Sequence, residues 1–350
     1  MSPRAAPEVV VEQAIDLLKT ARFRKQVREV RVETGSLGVV RKRGDRGGRR
    51  GAVLLVHGYA QNHYSWHVSR RSFANYLADA GFDVFNLDLR GVGRSRALGS
   101  PPARDLADYV ESDLPAAVRD ALEASGERSL FLLGHSLGAA AACAFAGCQP
   151  DVVRGLVMLA GLYDFARASP VMRLLGRAAA SLATSGGVSR LLPDPVPTDL
   201  IGRMLDASRV VFDSPMARLF PLRAWAPGSV EPEVLSEAIR RSFEPAPLGL
   251  TLDLARMAAG EGPRDRQGRG YLGPFEQADV PLLVVSGRED PLASPEDSTG
   301  AWARSRSRDK SIRRFDSASG GVGWGHMDIL LGRNAPHHVW PFVRDWLAAR

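Results

Sequence analysis

Two hydrophobic periods run along this chain, one near 3.6 residues and one of short unbroken apolar runs. Residues 8–27 carry Val10, Ala14, Leu17, Leu18 and Ala21 at helical spacing, which predicts an amphipathic N-terminal helix. From Val30 to Arg43, β-branched residues around Gly35 and Gly38 predict a hairpin. Ala52-Val53-Leu54-Leu55-Val56 is wholly apolar. A strand with no polar face is buried on both sides, as in a parallel sheet. After it, helical and strand patterns alternate. Helices are expected over 70–80, 104–124 and 137–148, and strands over 82–87, 130–133 and 156–159. That alternation predicts an α/β, doubly wound, mostly parallel sheet with crossover helices.

The rhythm stops between residues 165 and 272. Helical stretches at 171–183 and 231–243 are separated by breaks such as Pro193-Asp194-Pro195-Val196-Pro197 and Gly260 to Gly270. This predicts a helical insertion over the sheet. The alternation then resumes with a strand at 282–285, a helix at 294–304, a strand at 311–315 and an amphipathic closing helix at 335–349. The expected organisation is therefore a core over 1–164 and 273–350, with a helical cap insertion over 165–272.

Composition narrows this only a little. The chain has 350 residues, 45% hydrophobic and 24% charged, ordinary for a globular protein that needs no metal or disulfide to hold its core. The net charge is +7, but the charges are scattered. The one dense basic stretch, Arg41-Lys42-Arg43 through Arg46 to Arg49-Arg50, is broken by glycines and has no interleaved aromatics. It reads as a turn between strands, with no nucleic-acid partner expected. Cys143 and Cys148 fall on one expected helix, read as small core residues, and cannot bridge each other. No zinc-type spacing occurs. Arg4, Glu8, Glu12 and Asp16 interrupt the N-terminus, and no apolar run reaches membrane-spanning length. The expectation is a cytoplasmic chain without a spanning segment, with peripheral membrane contact and oligomeric state left open.

The chemistry concentrates in Gly134-His135-Ser136-Leu137-Gly138, a G-x-S-x-G motif directly between an expected strand and an expected helix. A sharp turn there lifts a serine above the sheet edge. A serine hydroxyl needs a base to take its proton and a third group to orient that base. Of seven histidines, His326 alone follows the last expected strand on a Gly-rich loop, Ser317 to Gly325. For the acid, Asp290 lies just past the strand at 282–285, in Ser286-Gly287-Arg288-Glu289-Asp290-Pro291. Asp164, just past the preceding strand, is its rival, and Glu289 is a minor one. An oxyanion would need backbone donors, and the N–H groups of Leu137 and of Tyr59, after Gly58, are the candidates. His57 reads as structural. Asp88 to Ser95 reads as a turn whose charges pin loops, and Asp328 as a cap or a brace for the histidine loop.

These motifs resemble the α/β-hydrolase superfamily over most of residues 50–350. The closer resemblance is to the acid lipase branch, the gastric and lysosomal type. It is carried by Phe73-Ala74-Asn75-Tyr76-Leu77-Ala78-Asp79-Ala80-Gly81-Phe82-Asp83-Val84 and by Gly325-His326-Met327-Asp328-Ile329, followed by Gly332, Ala335-Pro336 and Val339. The resemblance implies Ser136 as nucleophile, Asp290 as acid, His326 as base, oxyanion donors at Tyr59 and Leu137, and a helical cap. The cysteine pattern departs from an extracellular lipase, and the cap matches only loosely, around 244–260. The polyhydroxyalkanoate synthase branch shares core motifs but has cysteine where this chain has Ser136. The reading is a serine hydrolase of carboxylic esters, lipase- or esterase-like, that acts through an acyl-enzyme with no cofactor or metal on a small-molecule or lipid ester. An acyltransferase on the same residues and a non-catalytic binding module are the alternatives.

Overall fold

The computed structural model describes residues 4–45, 50–165, 170–184, 193–214, 223–318 and 321–350. Arg46 and Arg49 of the basic stretch, residues 319–320 of the histidine loop and the side chains of Val171, Met172 and Phe212 lie outside that description. The sheet strands are β1 (Arg4–Ala5), β2 (Val9–Ala14), β3 (Thr20–Val32), β4 (Gly35–Gly44), β5 (Ala52–Val56), β6 (Asp83–Asp88), β7 (Leu130–His135), β8 (Val153–Leu159), β9 (Leu282–Gly287) and β10 (Lys310–Phe315). Among the described residues they form one ten-stranded sheet, ordered β1-β3-β4-β6-β5-β7-β8-β9-β10, with β2 also paired to β3. β5 through β10 run parallel, β4 is antiparallel to β6, and β1 to β4 pair antiparallel with one another.

The period-2 alternation of the central strands builds two cores. Leu54, Val56, Leu132 and Leu156 point into one cluster, Val53, Leu55, Leu133 and Val157 into the other. Helices cover both faces: α1 (Phe73–Asp79), α2 (Gly93–Ala97), α3 (Leu114–Ser125) and α4 (Leu137–Cys148) early in the chain. Leu106–Asp108 and a π-helical turn at Tyr109–Asp113 lead into α3. Between β8 and β9 the regular elements among the described residues are helices: α5 (Pro170–Thr184), α6 (Thr198–Ala207), a short helix at Arg209–Phe212, α7 (Pro232–Ser242), α8 (Leu248–Ala259) and α9 (Leu272–Gln277). α10 (Pro295–Arg304), a short helix at Asp328–Leu331 and α11 (Val339–Ala348) complete the core.

The expected N-terminal helix over 8–27 is absent, and β2 and β3 form a hairpin there instead. The helical spacing of Val10, Ala14 and Leu17 was coincidental with a run of three valines, Val9 to Val11, whose branched side chains suit a strand. Asp16 Oδ1 then accepts the backbone N–H groups of Leu18 and Lys19, an Asx-type turn that breaks any helix. Leu18, assigned to an apolar stripe, is 89% exposed, whereas Phe23 on β3 is fully buried. The cysteines also need correction, because Cys143 is buried but Cys148 is exposed.

Candidate active site

β7 ends at His135, α4 begins at Leu137, and Ser136 is the turn between them. Its φ of 55° and ψ of −125° lie where an L-residue is strained, at a cost of order 1–3 kcal/mol. The surroundings hold it there. Ser136 N–H donates to Leu159 O (3.1 Å), and Ser136 O accepts from Ala139 N–H (3.0 Å) and Leu162 N–H (3.3 Å). The flanking glycines are required by close approach. A Cβ on Gly134 would lie 2.4 Å from Ala139 Cα, and one on Gly138 2.2 Å from His57 O. So the spacing Gly-x-Ser-x-Gly is the packing condition of the turn itself.

The loop after β5 lies against the same turn. A Cβ on Gly58 would be 2.9 Å from Ser136 Cβ, so the Tyr59 backbone passes close to the serine. Leu137 opens α4, where a first-turn N–H has no intrahelical acceptor. His57 is structural, as expected. It is buried, its Nε2 accepts Leu89 N–H (3.1 Å) and its Nδ1 meets Gly58 O (2.9 Å).

His326 and Asp290 come together although 36 residues apart, with Nδ1 to Oδ2 at 2.8 Å. Asp290 is fixed from its other oxygen, since Oδ1 accepts the N–H groups of Leu292 and Ala293 (both 2.9 Å). The rival Asp164 is held elsewhere, ion-paired to Arg304 on α10. Glu289 packs against Gly323, whose Cβ would meet its carboxyl, and its backbone N–H donates to Trp324 O (2.9 Å). The imidazole of His326 lies beside the serine turn, its ring centroid 4.8 Å from that of His135. His135 Nε2–H donates to His326 O (3.1 Å), which holds the histidine loop down on β7. Burial and the neighbouring His326 lower the His135 pKa to about 3, so His135 is neutral and serves as a hydrogen-bonding spacer. Ser136 and His326 are 8% and 7% exposed.

Two supports were weakly legible in the sequence or missed. Asp328, singled out as a cap or brace, is fully buried, and its Oδ2 accepts Gly325 N–H (2.5 Å) and Ala226 N–H (2.8 Å). It ties the histidine loop to the helical segment. That segment also clasps the Tyr59 loop. Glu244 N–H donates to Ala60 O (2.9 Å), Asn62 Nδ2 donates to Glu244 Oε1 (2.8 Å), and Tyr59 OH is hydrogen-bonded to Thr251 on α8 (2.7 Å). These contacts join residues about 180–190 apart, for which local pattern holds no signal. Among the described residues no cluster could hold a metal ion, and no helix is long and apolar enough to cross a membrane.

Residues 51–190 match the family described as alpha/beta hydrolase fold. Epoxide hydrolase B of Mycobacterium tuberculosis is 35% identical over 105 residues, 30% of this chain and 27% of that protein. Lipase member K of Mus musculus is 32% identical over 114 residues, 30% of this chain and 29% of that protein. The match thus spans under a third of the length of either relative. A thermophilic esterase from Thermogutta terrifontis superposes with a TM-score of 0.57 at 19% identity, covering 93% of this chain and 98% of that one. A soluble variant of monoglyceride lipase from Saccharomyces cerevisiae gives 0.59 at 18% identity, covering 91% and 93%. At such identities the likeness to solved structures concerns the fold.

Proposed function

We propose that this chain, whose core has the alpha/beta hydrolase fold, cleaves carboxylic esters with Ser136 as nucleophile, His326 as base and Asp290 as the acid that orients it. The observation that carries this reading is a serine held in a strained turn at the end of β7, beside a histidine already bonded to a buried carboxylate. In the proposed reaction His326 takes the Ser136 proton as Oγ attacks the ester carbonyl. Asp290 stabilises the imidazolium, and the N–H groups of Tyr59 and Leu137 donate to the oxyanion. The alcohol leaves with the proton from His326. Water, activated by the same histidine, then releases the acid from the acyl-enzyme.

Relatives named as epoxide hydrolases and as a lipase share parts of the core, and the chemistry at Ser136 favours esters. A serine that opened an epoxide would be left as an ether, with no carbonyl for water to attack. A serine acyl ester is hydrolysed readily. The run Gly325-His326-Met327-Asp328 favours the lipase side, with the helical segment as a cap over the site. A fluorophosphonate probe is expected to label Ser136, and Ser136→Ala to lower p-nitrophenyl ester turnover by roughly 10⁴-fold or more. Labelling at another residue, or undiminished turnover in Ser136→Ala, would reject the assignment. A competing alcohol added to the same assay separates hydrolysis from acyl transfer, because a transferase would yield the new ester.

A further inference from the structure

On the sheet face away from the Leu54–Leu132 core, a cavity of about 380 Å³ opens over β3, β4 and β6. Its charge balance is unusual. Lys25 on β3 and Lys42 on β4 are direct cross-strand partners, and like charges opposite each other are destabilising. Arg94, from α2, also lines it. Arg94 approaches β4 closely, since a Cβ on Gly38 would be 2.4 Å from Arg94 Cβ. Its Nε is buried without a hydrogen-bond partner. Lys42 is 2% exposed, and Nζ is bonded to neutral groups, Gln13 Oε1 (2.7 Å), Asn75 Oδ1 (2.7 Å) and His67 (3.3 Å). The carboxylate on the rim, Glu12, is exposed and bonds Thr20 (3.5 Å). Burial first, and then the charges of Lys25 and Arg94, push the Lys42 ammonium well below its ordinary pKa. The recess thus gathers four cationic side chains, Lys25, Lys42, Arg94 and Arg241. Arg241 is ion-paired to Glu237, whereas among the described residues Lys25 and Arg94 form no ion pair.

We propose that this cavity binds a small phosphate-bearing molecule, with its phosphate seated on Lys25 and Arg94, while the donors of Lys42 stay on Gln13, Asn75 and His67. A phosphate presents several acceptor oxygens in a tetrahedral array and carries close to two negative charges at neutral pH, so it meets converging ammonium and guanidinium donors at once. The recess is larger than a phosphate alone. Val40, Val84 and the Tyr64 ring line the remainder and give an organic portion an apolar wall. The site is separate from Ser136 and independent of the ester-hydrolase reading.

Inorganic phosphate is the probe, titrated calorimetrically into the whole chain at pH 7.5 and low ionic strength. Saturable binding is expected, weakened at least tenfold by Lys25→Gln and by Arg94→Gln and unchanged by Ser136→Ala. Lys25 is half-buried at a strand surface, so its variant should fold. Without phosphate that variant should melt higher than the parent, because one like charge opposite Lys42 is gone, and phosphate should no longer raise its Tm. Malonate, a dianion of planar carboxylates, is expected to bind at least tenfold more weakly. Absence of saturable phosphate binding, binding indifferent to both variants, or malonate binding as tight as phosphate would each overturn the proposal.

Discussion

Asp290 and Asp164 are chemically identical carboxylates at the ends of adjacent strands, and their neighbours separate them. Asp290 has one oxygen on two backbone N–H groups and the other on His326 Nδ1. Asp164 faces Arg304. Asp290→Asn keeps the shape but offers the histidine the wrong tautomer, so kcat is expected to fall by roughly 10³–10⁴-fold. Asp164→Asn removes a half-exposed ion pair worth at most about 1 kcal/mol and should change kcat by less than threefold. Steady-state kinetics on one p-nitrophenyl ester compares them directly, and reversed effects would move the acid to the end of β8.

The histidine loop is held by Asp328, which bonds its own loop at Gly325 and the helical segment at Ala226. Burial raises the Asp328 pKa to about 7, against about 4 in an unfolded chain. Below pH 4 the carboxyl is protonated in both states. Between about pH 4 and 7 the folded chain keeps the proton and the unfolded chain releases it, so this group's contribution to stability falls as pH rises, then levels off above 7. Asp328→Asn retains an acceptor oxygen but cannot ionise. Its stability relative to the parent is therefore expected to improve steadily from pH 4 to 7 in urea unfolding. Asp328→Ala leaves two N–H groups without their acceptor and should cost on the order of 1–3 kcal/mol per group, with kcat falling at least tenfold as the loop loosens. Parallel pH profiles for the Asp328→Asn variant and the parent would contradict the buried-acid account.

Across the whole molecule, the helical segment between β8 and β9 turns some apolar side chains outward and others inward. Leu174, Leu175, Val210 and Val211 are between 51% and 79% exposed, so they take little part in the core. α8 differs. Leu250 is buried, Leu254 packs on the sheet core, and Thr251 bonds Tyr59 beside the serine turn. If α8 walls the acyl site, kcat/KM should climb with acyl length until the space is filled, by about 0.8 kcal/mol or less per CH₂. A series of p-nitrophenyl esters from acetate to laurate measures this. A profile that peaks at acetate and declines would mean that the segment restricts the site to small esters.

Much of the core was decided locally. The all-apolar runs at 52–56, 130–133 and 282–285 can be buried only on two faces, and Gly134-x-Ser136-x-Gly138 marks a turn whose backbones touch, so strands, elbow and candidate nucleophile follow from short stretches of sequence. Tertiary structure decided what depends on a partner far along the chain. Residues 8–27 carry a helical spacing by themselves, yet Val11 pairs with Phe23 and the hairpin extends the sheet, because strand pairing buries Phe23 where an isolated helix would not. Which of Asp290 and Asp164 meets His326 depends on how the loops pack, and the clash of Lys25 with Lys42 on register across β3 and β4. A linear sequence lists such groups, but only the packed sheet brings their charges within a few ångströms of one another, where Coulomb and hydrogen-bond energies are large enough to matter.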